Sequence, residues 1–202
     1  MASGNLCGGR FSYETEGEGF PLVLLPGMPE CWASHRPLLG ELCRTIAYTY
    51  HHERDVPHAM QVTDLLTFLD ALPLERVYLA SHTAGWPIAL ECALRWPERL
   101  EGLVLLGTHG ATSATTQALA TYTARLPELS VPTLVLLDAA LVSDLPSADL
   151  LVTHVPRCTR TIVPRPASAP SASPLQLAHA MMRMLVHWER QRNLVRGASF
   201  LL

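Results

Sequence analysis

Short runs of consecutive apolar residues alternate along this chain with longer segments whose apolar positions recur at helical spacing. The runs fall at 21–25, 45–48, 77–80, 103–106, 133–137 and 161–163. They are almost continuously apolar, which is the pattern of strands covered on both faces rather than on one. Helical periodicity places helices between them at 32–43, 58–72, 84–96, 113–126, 147–154 and 174–193. Strands alternating with helices build a mainly parallel sheet, so the expected class is α/β, a central sheet flanked by helices on both faces. An edge hairpin is expected near 10–18, and the segment PRPASAPSASP at 164–174 reads as an irregular connection before the last helix.

Composition narrows the picture. A chain of 202 residues suits one domain spanning 1–202. With 49% hydrophobic residues, 16% charged and a net charge of −3, it is expected to fold and to lack an electrostatic reason to bind nucleic acid or an anionic membrane. A small molecule is the expected partner. Five cysteines, Cys7, Cys31, Cys43, Cys92 and Cys158, form an odd set without CxxC spacing. That argues against a disulfide framework or a zinc site and favours a reducing cytoplasm. No apolar stretch approaches the roughly 18 to 20 residues that span a bilayer, and the N-terminus lacks a basic start followed by an apolar run, so neither membrane insertion nor secretion is expected. All 15 basic residues are arginine. The missing lysine excludes Schiff-base and lysine P-loop chemistry carried by this chain.

Three blocks carry a more specific signal: LVLLPGMPECWASHRPLL, RVYLASHTAGWPIALECALRWPERLEGLVLLG and VPTLVLL. Together they resemble the α/β-hydrolase family over most of the chain. The most telling element is Ser81-His82-Thr83-Ala84-Gly85, at the place where that family carries its G-x-S-x-G nucleophile elbow, a sharp turn from strand to helix. The resemblance implies that Thr83 holds the nucleophile position and is displayed at the carboxyl edge of the sheet, with Ser81 replacing the first glycine. It implies an oxyanion hole from the N–H groups of Met28, in the loop Pro26-Gly27-Met28-Pro29, and of Ala84. His82 precedes the elbow residue, where a structural role beside the site is usual.

The family's other two triad members are displaced or missing. The acid position after the late strand falls near Leu141, with Asp138 and Asp144 as candidates, and the region after the last strand, PASAPSASP, holds no histidine. Without a base a hydroxyl of high pKa is a poor nucleophile. A degenerate triad is therefore expected. The interval between the 103–106 and 133–137 strands is too short for a helical cap, so a cap-less member is expected.

Replacement acid/base groups could come from His51 and His52 in Tyr50-His51-His52-Glu53-Arg54-Asp55, although a solvated polar loop explains that run equally well, or from His109 just after the next strand. His51, Asp55 and His58 lack the paired spacing of metal sites, and neither metal nor other cofactor is called for. His154, His179 and His187 read as scaffold, and Cys31 as a packed apolar residue. Three functions remain open: a non-hydrolytic enzyme (lyase, cyclase or isomerase) acting on a carbonyl substrate through the oxyanion hole, an esterase or thioesterase using Thr83 with a relocated histidine, and a silent binding protein.

Overall fold

Each apolar run is a strand in the computed structural model, which describes residues 2–25, 32–50, 58–107, 113–139, 145–164 and 172–199. In chain order the elements are β1 (Ala2–Leu6), β2 (Phe11–Glu16), β3 (Pro21–Leu24), α1 (Arg36–Gly40), β4 (Arg44–Tyr50), α2 (His58–Ala71) and β5 (Val77–His82). Then come α3 (Trp86–Arg95), β6 (Leu100–Gly107), α4 (Ser113–Tyr122), β7 (Thr133–Asp138), α5 (Leu145–His154), β8 (Cys158–Val163) and α6 (Pro174–Ser199). The eight strands form one sheet in the order β1-β2-β4-β3-β5-β6-β7-β8. Only β2 runs against its neighbours; from β4 through β8 every pairing is parallel.

The alternation of side chains along a strand separates two cores. Val23, Leu79, Leu103, Leu105 and Val135 face one layer, built by α2, α3, α4 and α5 through residues such as Phe68, Trp86, Leu119 and Leu151. Leu22, Leu24, Ala80, Val104, Leu106 and Leu136 face the other, built by α1 and α6 through Leu39, Met181, Leu185 and Trp188. Both faces of the central strands are thus dry, as their continuous apolar runs require.

The departures from expectation are local. The edge hairpin begins earlier than its expected start: β1 pairs with β2 from Ala2 opposite Thr15 to Leu6 opposite Phe11. The sequence ASGNL of β1 is largely exposed and has no apolar alternation to reveal it. The helix expected over 32–43 is regular only over Arg36–Gly40. Before it the chain turns, with the Arg36 N–H donating to the Trp32 carbonyl at 2.9 Å, while the Trp32 indole N–H reaches back to the Leu25 carbonyl at 2.8 Å. Five residues, 108–112, join β6 to α4, which leaves no room for a cap. Among the described residues no helix is long and apolar enough to cross a membrane.

On the α6 side the sheet is approached so closely that Gly102 has no space for a side chain. A Cβ there would lie 2.7 Å from Cε3 and Cζ3 of Trp188 and 3.0 Å from Cδ1 of Tyr78. Gly102→Ala is expected to overpack this contact and lower stability by about 1–3 kcal/mol, read as a lower urea midpoint with unchanged slope. The buried thiols offer a second check. Burial pushes Cys43 up to about 12 from 9.0, and burial likewise raises Cys92 to about 12, while Cys7 is exposed. A thiol raised on folding favours the native state fully below the unfolded value and loses that contribution as pH climbs from about 9 toward 12. Peptide mapping after treatment with a thiol reagent at pH 8 should find Cys7 modified in the native protein, and Cys43 and Cys92 modified only after unfolding.

Candidate active site

The carboxyl ends of β3, β5, β6 and β7 meet at one edge of the sheet, where parallel α/β folds assemble their sites. β5 ends at His82, and the chain enters α3 through a single 3-10 turn, Thr83–Gly85, in which the Trp86 N–H donates to the Thr83 carbonyl. The strand-turn-helix expected of the elbow is therefore present. Its conformation is not the strained one. Thr83 is absent from the residues with positive φ, and the turn continues directly into α3. A β-branched side chain is costly in the left-handed region, so a threonine at this position favours the relaxed helical turn.

That relaxation turns the hydroxyl away from solvent. Thr83 is only 1% exposed, and its Oγ1 donates to the Leu106 carbonyl on β6 at 3.3 Å, a long hydrogen bond. Thr83 thus stands at the edge with its hydroxyl buried and bonded to the neighbouring strand. Ala84, by contrast, is exposed. Its N–H belongs to the first turn of the helix, where backbone donors lack intrahelical partners and face whatever approaches the edge.

The turn packs tightly against its own strand. A Cβ on Gly85 would stand 2.5 Å from Ser81 Oγ, whose hydroxyl donates to the His82 carbonyl at 2.8 Å. The next neighbour, Leu25 Cβ, is 3.9 Å away. The small residue needed at this crossing is supplied from the helix side, and the strand side is free to carry serine.

His82 points to the α1 layer, buried, with its ring centroid 4.1 Å from that of Trp32 and 6.0 Å from that of His35. His35 is a residue that sequence reasoning missed. It is buried at the start of α1, and its only sequence signal is a spacing of three from Trp32. On the far side of the elbow, Asp138 ends β7, buried, and its Oδ2 accepts the Ala172 N–H at 2.7 Å. This carboxylate fastens the segment after β8, the same segment in which the hydrolase pattern would carry its histidine. Gly27, Met28, Cys31, His51, His52, Asp55, His109, Leu141 and Asp144 lie outside the described residues. So among the sequence-derived candidates the structure brings Thr83, Ala84, His82 and Asp138 to one edge. His154 bonds its own helix through Leu150, and His179 and His187 are exposed on α6. A cleft of about 590 Å³ lies beside α1, lined by Trp32, Arg36, Tyr48 and Thr49 and crossed by the Arg36–Glu14 ion pair; neither Thr83 nor Ala84 lines it.

The sheet order, the single antiparallel strand and the strand-turn-helix after β5 define an architecture shared with solved hydrolases. An α/β hydrolase from the metagenome of lagoon sediments at Mar Chica, Morocco, superposes with a TM-score of 0.72 at 19% identity, covering 92% of this chain and 97% of that one. A variant of the meta-cleavage product hydrolase from Pseudomonas fluorescens, complexed with acetates, superposes at 0.70 with 16% identity, covering 95% and 98%. In sequence, a 2-hydroxymuconate semialdehyde hydrolase of Pseudomonas sp. is 32% identical over 131 residues, 54% of this chain and 44% of that protein. A 2-hydroxy-6-oxo-2,4-heptadienoate hydrolase of Pseudomonas putida is 32% identical over 125 residues, 51% and 42%. The chain thus spans less than half the length of these curated relatives. No protein-family model matches it. The chain therefore has the α/β-hydrolase fold, with no cap domain among the described residues.

The Gly85–Ser81 contact can be tested as a coupled pair. Gly85→Ala should destabilise by about 1–3 kcal/mol, and adding Ser81→Gly should recover at least half of that loss, because the second change removes the atom that the new methyl meets. Strict additivity in urea denaturation would count against this packing of the elbow.

Proposed function

We propose that this protein is an enzyme that binds a carbonyl-containing small molecule at the elbow edge and acts on it without a covalent acyl intermediate, through backbone donors that stabilise charge on the substrate oxygen. The observation that carries this reading is the contrast within the turn: the Thr83 hydroxyl is buried on Leu106, while the neighbouring residue Ala84 is exposed. A nucleophile must be reachable and needs a base, whereas a donor need only be fixed and unpaired. The first turn of α3 supplies such donors, and the helix dipole favours developing negative charge beside them. The relatives' names agree on the substrate class, since a semialdehyde and an oxo-dienoate both present a carbonyl conjugated to further unsaturation. Charge on such an oxygen is delocalised as an enolate, which is the species that oxyanion donors favour. A lyase, cyclase or isomerase reaction suits that chemistry; hydrolysis by a covalent route requires the Thr83 hydroxyl to leave Leu106 and find a base such as His109 or His51.

Incubation with 2-hydroxymuconate semialdehyde in H₂¹⁸O separates the two. The expected result is a change of chromophore with no label in a newly formed carboxylate, the carbonyl oxygens exchanging with water on their own, and no modification of Thr83 by a fluorophosphonate probe. A labelled, newly formed carboxylate together with a Thr83 adduct would establish the esterase-like route instead, and binding of the compound without turnover would leave a binding protein. Thr83→Val should keep turnover within about threefold while costing roughly 1 kcal/mol of stability from the lost hydrogen bond. Ala84→Pro removes a donor worth about 3 kcal/mol in the transition state and should cut turnover about a hundredfold, with circular dichroism showing that the variant is folded. Loss of turnover in Thr83→Val with Ala84→Pro still active would sink the non-covalent reading.

A further inference from the structure

At the opposite edge of the sheet, where the parallel strands begin, a second cleft of about 690 Å³ opens between α6 and the starts of β5, β6 and β7. Tyr78 on β5 lies five positions before Thr83, so the cleft lies roughly 16 Å from the elbow along the strand. It shares no lining residue with the elbow edge.

One wall is aromatic and fixed. The rings of Tyr78 and Trp188 are near-parallel, inclined by 8° with centroids 6.1 Å apart, and the absent side chain of Gly102 lets Trp188 lie flat on the sheet. The other wall is charged, but its carboxylates are already occupied. Glu101 accepts from Arg76 at 3.3 Å and from Arg192 at 3.1 Å. Glu189 accepts from Arg192 and from the Tyr78 hydroxyl, both at 2.6 Å. Burial alone would lower the Arg192 pKa; the Glu101 hydrogen bond and the two glutamate charges outweigh it and raise the value, so this guanidinium stays charged. Two arginines and two glutamates therefore cancel. Arg157 is left over: it lines the cleft, is exposed, and has no ion pair among the described residues. Its backbone is anchored, since the Arg157 carbonyl accepts the Thr133 N–H at 2.9 Å where β7 begins.

An aromatic wall beside a guanidinium that has no ion pair among the described residues, in a space of several hundred cubic ångströms, selects a small planar anion. From this we infer that the cleft between α6 and the strand starts is a second binding site, separate from the elbow, for an aromatic carboxylate, with its ring against Trp188 and its carboxylate on Arg157. An anion meets no free carboxylate there, because Arg76, Arg192 and Tyr78 already hold both. The same network keeps Trp188 and Arg192 in place without a ligand, so the site is preorganised.

Isothermal titration with 2-naphthoate and its neutral analogue 2-naphthamide tests this. Naphthoate should bind with one-site stoichiometry and naphthamide at least tenfold more weakly. Arg157→Gln should weaken naphthoate at least tenfold with an unchanged melting temperature, since Arg157 makes no ion pair that the fold relies on. Ala84→Trp, which crowds the elbow, should leave naphthoate binding within twofold. In ¹⁵N spectra naphthoate should shift the Arg157 and Ser130 amides and the Trp188 indole. The proposal is overturned if naphthoate gives no heat at millimolar concentration, if the amide binds equally well, if Arg157→Gln binds as the wild type does, or if Ala84→Trp abolishes binding.

Discussion

Strands that are apolar on both faces cannot remain in water on either, and most of this structure follows from that constraint. Leu22, Leu24, Val104 and Leu106 need one cover, and Val23, Leu79, Leu103 and Leu105 need another. A chain meeting both demands returns over a face of the sheet between parallel strands, with α2 to α5 covering one side and α1 and α6 the other. The loops are then confined to the two edges of the sheet. Chemistry is confined with them, because only there do polar groups escape the dry layers.

Within that frame the identity of one side chain changes the character of the elbow. The hydrolase pattern relies on a residue that tolerates strain and is displayed because of it. Threonine does not tolerate it; the turn settles into helical geometry and the hydroxyl finds the Leu106 carbonyl. The backbone donors at the same place are insensitive to this exchange, since they depend on where α3 begins and not on the side chain at position 83. Asp138 makes a parallel case: a carboxylate at the end of β7 spends an oxygen on the Ala172 amide, an anchoring role that needs no histidine partner.

The strength of each local signal decides how much of this is legible in the sequence. The strands β3 to β7 and the helices α2 to α6 are legible because apolar periodicity is enforced by burial, β8 is legible at the sheet edge only from its Thr161–Val163 end, and the limits agree within a few residues except for the C-terminal end of α6, which runs on to Ser199. β1 is not, because an edge strand of Ala, Ser, Gly, Asn and Leu is held mainly by backbone pairing, with only Leu6 packed against the core. The pattern makes α1 too long, because Trp32 and His35 carry apolar periodicity into a turn that is fixed by an indole hydrogen bond to Leu25. The position of Thr83 at the elbow is legible from the S-H-T-A-G order. Its burial is not, since that depends on the carbonyl offered by a strand more than twenty residues away. The cleft at the strand starts is equally hidden, as its walls come from β5, β6, β7 and α6, and no short motif spans them.

The five-residue link between β6 and α4 also bears on time. Enzymes that close a domain over their substrate often wait on its reopening, and their turnover then reports a hinge rather than a bond. Among the described residues no domain is inserted between β6 and α4 that would need such a hinge. Arrival and departure are set by diffusion and local loop movement, so viscosity should weigh on the slow phase only when chemistry is fast. Under the proposed reading, an edge without a cap would admit water to an intermediate held there, which favours reactions whose intermediates survive it.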